Sequence, residues 1–140
     1  MNSTANDQFE TWLIEMDDAL ERLKLSLPQP LCRMDLGIEA LAPLESHYLS
    51  EFPSVEDALL PTSAIRIDSY ARFVGETLRT LAGGKWRLET SSPDQAYYGL
   101  PVLSGAYGTI CPLTLVTAAA DRRTGAFWTT IVSNQVAHNK

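Results

Sequence analysis

The segment from Ser63 to Leu81 constrains this chain more than any other. Ile67, Tyr70, Ala71, Val74, Leu78 and Leu81 recur there at three- and four-residue spacing, which places them on one face of a helix. Arg66, Arg72 and Arg79 fall mostly off that face. Gly83 and Gly84 follow directly and supply a left-handed stop, after which KWRLET alternates as a strand does. A long amphipathic helix delivered straight into a strand calls for a sheet and further helices to cover its apolar face. The fold class this implies is α+β.

Within that helix Gly75 precedes Glu76. Glycine in a helix interior costs about 1 kcal/mol relative to alanine, so its presence predicts that another part of the chain comes close there. Glu76 has two readings: a scaffold carboxylate hydrogen-bonded to the strands that follow, or a functional acid. A general acid needs a second carboxylate, a base or a metal beside it, and the sequence supplies no such neighbour at a recognisable spacing. The scaffold reading is the expectation.

Upstream, Phe9, Trp12, Leu13, Met16, Leu20 and Leu23 define one face of a helix over about residues 6–25, with Asn6 as its cap and Pro28 and Pro30 beyond its end. On the opposite face stand Glu10, Ile14, Asp17 and Glu21. This is either a solvated face with one incidental isoleucine or an acidic contact stripe with an apolar centre. Residues 34–60 have helical propensity interrupted by Gly37, Pro43 and Pro53, which predicts short helices in place of one long one.

Downstream, SSPDQ is a turn cluster, YYGLPVL a second strand, SGAYG a turn and TIC the end of a third strand, together a small antiparallel meander. Pro112 is placed to open a helix through LTLVTAAADRR and Gly125 to end it, with Arg122 and Arg123 at the negative end of its dipole. In the tail, Phe127, Trp128, Ile131 and Val132 fit a helix face, whereas the β-branched content fits a strand; helix is the expectation. The expected architecture is one domain over residues 1–140, with N-terminal helices and a central helix packed on the meander and helices at the C-terminus. At 140 residues one core suffices.

Charge narrows the function classes. The net charge is −6, but residues 1–60 hold twelve acids against three bases, a balance of −9, and residues 61–140 are net +3. A phosphate backbone would be repelled by the first half, and the bases of the second are scattered, so nucleic-acid binding is disfavoured and a protein with a basic surface is the better-matched partner. No apolar run is long enough to span a bilayer. The opening residues MNSTANDQFE lack the basic start and apolar core of a secretory signal, so the expected location is cytoplasmic unless a leader has already been removed.

Motifs for chemistry are sparse. Cys32 and Cys111 lie in dissimilar settings and His47 and His138 are isolated, so the spacing supports two separate thiols and no zinc site. Ser104-Gly105 is not a nucleophile elbow, and Gly83-Gly84 lacks the remainder of a phosphate loop. The reading is therefore no catalytic residue, no metal and no cofactor. Tyr97 and Tyr98, with Tyr107 nearby, are either packing residues of the meander or a small aromatic recognition surface. The candidate partner-binding residues are Glu10, Ile14, Asp17, Glu21, Tyr97 and Tyr98.

A helix ending in GETLRTLAGGKW, short strands and a CPLTLVTAAADRRTG helix resemble small uncharacterised bacterial α+β proteins, several of which accompany toxins as immunity proteins. The resemblance covers about residues 65–128, and its marks are Gly75-Glu76, Trp86, Pro112 and Gly125. It implies a scaffold that acts by binding, with neutralisation of a cognate toxin as the leading expectation. A secretion-type chaperone for an effector, or a small enzyme using Glu76, is the alternative.

Overall fold

The computed structural model describes residues 3–138, and for Ser3 and His138 the backbone alone. Lys140, one of the bases counted above, and the side chain of His138 lie outside the described residues. The chain is α+β. Its helices are α1 (Ser3–Ile14), α2 (Met16–Leu25), α3 (Ile38–Glu51), the four-residue α4 (Val55–Ala58), α5 (Ala64–Ala82), α6 (Pro112–Arg122) and α7 (Phe127–His138). Strands β1 (Lys85–Leu88), β2 (Pro101–Gly105) and β3 (Gly108–Ile110) form an antiparallel sheet in the order β1-β2-β3. Trp86 pairs with Leu103, and Leu103 with Ile110.

Helix α5 is the hub, packing on α2, α6, α7 and the central strand. Its buried face carries Ile67, Tyr70, Phe73, Val74 and Leu78, close to the expected periodicity. Two members of the pattern go the other way. Leu81, in the last turn, is 41% exposed and lines an open cavity with Ile38 of α3 and Val136 of α7; Arg72, expected off the apolar face, is 4% exposed. An aromatic cluster fills the space between α3, α5 and α7, with Tyr48 4.9 Å from Tyr70 and 5.1 Å from Trp128, ring centre to ring centre. Each ring spends its polar atom internally: Tyr48 Oη donates to the Val116 carbonyl at 2.7 Å, and Trp128 Nε1 to that of Leu115 at 3.0 Å. Buried aromatic rings need such partners for their polar atoms.

Several boundaries differ from expectation for identifiable reasons. The N-terminal helix begins at Ser3 rather than near residue 6, so Asn6 lies inside it and is no cap. It also bends at Glu15, dividing into α1 and α2. At the bend, Arg72 Nη1 donates to the Trp12 carbonyl at 2.7 Å. A side chain inserted beside the backbone ladder is a recognised cause of helix bending. Pro43 does not break α3, which runs from Ile38 to Glu51. Near the helix start its missing N–H removes one bond, and burial of Leu41, Leu44 and Tyr48 offsets a cost of roughly 3 kcal/mol.

The strand expected over 97–103 begins only at Pro101. Tyr98 N–H bonds to Gln95 O, Leu100 N–H to Tyr97 O, and Gly99 sits at φ 79°, so the turn cluster continues through both tyrosines. The SGAYG turn is also tighter than expected, since β2 reaches Gly105 and β3 opens at Gly108. Helix α6 is closed by Arg123, not Gly125. Arg123 adopts φ 57° and its guanidinium bonds to the carbonyls of Leu49 and Phe52, each at 2.9 Å. Those carbonyls end α3, so the left-handed residue is chosen by its side chain. The tail is helical, as expected, with Trp128 and Val132 buried. Cys32 and Cys111 are both free thiols.

Gly75 explains itself in this frame. A Cβ there would lie 2.3 Å from Trp86 Cη2 and 3.0 Å from Pro112 Cγ. The glycine is a gap through which the indole of β1 reaches the helix backbone. Alanine elsewhere in a helix gains about 1 kcal/mol over glycine, but overpacking here costs more. We expect Gly75→Ala to destabilise by about 1–3 kcal/mol in urea denaturation. Adding Trp86→Leu should recover part of the loss, and strict additivity of the two changes would show that the indole is not the obstacle.

Candidate functional site

Glu76 sits where α5, β1 and the α1–α2 bend converge. Its Oε2 accepts from Trp86 Nε1 at 2.6 Å and Arg79 Nε at 2.9 Å, and its Oε1 from Arg79 Nη2 at 3.0 Å. Burial pushes the carboxyl pKa up, but the bonds from Arg79 and Trp86 outweigh it and hold the group below the usual carboxylate range. A carboxylate held ionised, with donors on both oxygens, has the geometry of a staple rather than a general acid. The expected bond to the following strand is the one from Trp86.

The staple extends further than the sequence suggested. Trp86 meets Trp12 edge to face at 4.9 Å, and Trp12 Nε1 donates to Asp68 Oδ1 at 2.8 Å. Arg72 lies 4.2 Å over the Trp12 ring and bonds Asp68 Oδ2 at 2.7 Å. One chain of contacts, Asp68, Arg72, Trp12, Trp86, Glu76 and Arg79, thus fastens α1 and β1 to α5. Beside it opens a cleft of about 420 Å3, with Leu13, Met16 and Trp86 as apolar walls and Asp17, Glu76, Arg79 and Lys85 as charged lining.

The predicted contact residues are distributed as follows. Glu10, Ile14, Asp17 and Glu21 are all exposed along the outer side of α1 and α2, and Ile14 is 80% exposed. Asp17 alone of the four reaches the Glu76 cleft. Tyr97 is half-buried and Tyr98 exposed, both in the connection between β1 and β2. That connection faces α1 through Ala5, Gln8, Phe9 and Trp12, a groove to which none of the four stripe residues contributes.

Other carboxylates went unnoticed in the sequence. Glu45, fully buried, accepts from the backbone N–H groups of Phe127 and Trp128 at 3.1 and 2.8 Å, capping α7 from eighty residues away. Glu51 accepts from Arg66 at 2.7 Å and Tyr70 Oη at 2.6 Å. Burial raises its pKa, and these bonds lower it by more. Glu89 accepts from the Ser91 hydroxyl and N–H and pairs with Arg87, which together bring it down to about 2. The Gly75-Glu76-Trp86 spacing could have signalled the staple; nothing local marks Glu45 as a distant cap.

Among the described residues no cluster of three or more His, Cys, Asp or Glu side chains could hold a metal ion, and no helix is long and apolar enough to cross a membrane. No family model, curated protein or solved structure matches the chain.

The depressed pKa of Glu76 sets a pH signature. Its stabilisation is present above the unfolded value, near 4.5, and is lost as pH falls through the lower folded value. At neutral pH Glu76→Gln should cost on the order of 1 kcal/mol, because amide for carboxylate weakens the Arg79 and Trp86 bonds. Thermal melts from pH 7 downward should show the gap between wild type and variant closing below pH ~4.5. A gap that stays constant into acid would mean that the ionised carboxylate is not what the scaffold uses.

Proposed function

We propose that the chain is a non-enzymatic binding protein that neutralises a cognate bacterial toxin by direct, stoichiometric contact, an immunity protein in action. The observation that carries this reading is Ile14: a large aliphatic side chain, 80% exposed, centred among the exposed acids Glu10, Asp17 and Glu21. An apolar centre with a charged rim is the anatomy of a protein-binding patch, and its charge suits a basic partner. The disposition of the other acids supports the same reading. Glu45, Glu51, Glu76 and Glu89 are spent on internal hydrogen bonds, whereas the acids of the stripe project outward. Catalysis by Glu76 draws support only from its position on a cleft, and both of its oxygens already have donors.

The experiment pairs the purified chain with the product of an adjacent toxin gene. Asp17→Lys with Glu21→Lys should leave the fold intact and slow association. Raising salt should weaken the wild-type complex, because exposed charges are screened beyond about 8 Å at physiological ionic strength. Isoleucine 14 replaced by Asp (Ile14→Asp) should raise the dissociation rate instead, by about tenfold for a central apolar contact. A complex indifferent to salt and to all three substitutions would place the contact off this face.

A further inference from the structure

A second unpartnered surface lies on the opposite side of α1 from Ile14. Leu60, Ala64 and Ile67 face Leu113 and Thr117 of α6 across a groove of about 380 Å3, with Trp12 and Asp68 also in its lining. The lining is almost wholly apolar, and two of its aliphatic side chains are presented to solvent: Leu59 is 63% exposed and Leu60 50%. Isolated exposed aliphatics are ordinary on protein surfaces; two in succession, in the lining of a concave apolar site, are not.

The charges around the groove say what kind of occupant it suits. Glu56 and Asp57 stand on α4 beside Ala58 of the lining, whereas the carboxylate of Asp68, also in the lining, is taken up by Arg72 and Trp12. Described residues of α1 and of α4 include no base. The two bases of neighbouring α5 turns are already engaged, Arg66 by Glu51 and Arg72 by Asp68 and the Trp12 carbonyl. Helix α6 carries its only base at its far end, Arg122. An apolar floor beside an acidic edge on α4 complements a segment that carries Lys or Arg next to aliphatic side chains, as one face of an amphipathic helix does.

We infer that this groove is the docking site for an apolar, basic segment of the partner protein, its aliphatic side chains entering between α4 and α6 and its bases reaching Glu56 and Asp57. The inference rests on the binding-protein reading above and gives that partner a second point of attachment. The two sites flank α1, so one partner could grip the helix from both sides.

The test uses the full chain and a labelled synthetic amphipathic peptide of leucine and lysine, titrated by fluorescence anisotropy. Leu59→Asp with Leu60→Asp, both at exposed positions, should weaken binding by at least about tenfold, the loss expected for removing two apolar anchors. Glu56→Lys should weaken it less and reduce its salt dependence, while Asp17→Lys with Glu21→Lys should leave it unchanged. Equal binding of a scrambled peptide of the same composition would overturn the inference, since charge alone would then account for it. So would sensitivity to the α2 substitutions without sensitivity at Leu59 and Leu60. Self-association of the wild type in sedimentation, abolished by the Leu59 and Leu60 changes, would make a second copy the occupant and equally overturn it. Toxin neutralisation separates the two readings: a Leu59/Leu60 variant that protects as well as wild type sinks the groove alone, whereas groove-specific peptide binding without any protective effect sinks the immunity reading alone.

Discussion

The contact on which most of this structure depends is the seating of Trp86 against α5. A helix and a strand joined by two glycines have no intrinsic reason to adopt a particular angle. Here the indole lies over Gly75, where a methyl group could not fit, and its N–H is held by Glu76 at 2.6 Å. The angle of β1 is thereby set, and with it the position of β2, whose Leu103 pairs with Trp86 and is fully buried. The same indole meets Trp12 edge to face, which brings α1 down on the sheet and ties it to Asp68 and Arg72. Apolar packing supplies most of the energy of such an arrangement, and the charged hydrogen bonds select one geometry among those that packing would permit.

The same division of labour recurs across the molecule. Glu45 caps α7, Glu51 receives Arg66 and Tyr70, Arg123 closes the end of α3, and Glu89 organises the start of the β1–β2 connection. Each of these charged side chains meets donors or acceptors, on a distant element for Glu45, Glu51 and Arg123 and within two residues for Glu89, and such pairing is the condition for burying charge at tolerable cost. This leaves the surface with an uneven residue of acids. They gather on α1, α2 and α4, around exposed Ile14 on one side of α1 and exposed Leu59 and Leu60 on the other.

Much of the fold was legible because periodicity reports burial directly. The face of α5, the paired-glycine stop, the order of three strands and the helix opened by Pro112 all follow from spacing and local turn chemistry. Gly75 announced a close approach, and Glu76 a bond to the next strand, though neither identified the indole that provides both. The exposed stripe was visible for the same reason: a residue off the apolar face of a helix has little choice but solvent. The apolar groove was not, since its walls come from α4, α5 and α6 and no local pattern records that they leave a gap.

What the sequence determined by itself, then, is whatever depends on neighbours within a turn or a hairpin: the class of the fold, the elements and their apolar faces, and the concentration of acid in the first half. Only the tertiary structure decided that Arg72 is buried and bends the helix at Glu15, that Arg123 rather than Gly125 ends α6, and that Glu45 caps a helix eighty residues away. In all three cases the deciding partner is a backbone carbonyl or N–H on another element. Every residue carries those groups whatever its side chain, so no residue type at any spacing marks which of them a distant charge will find.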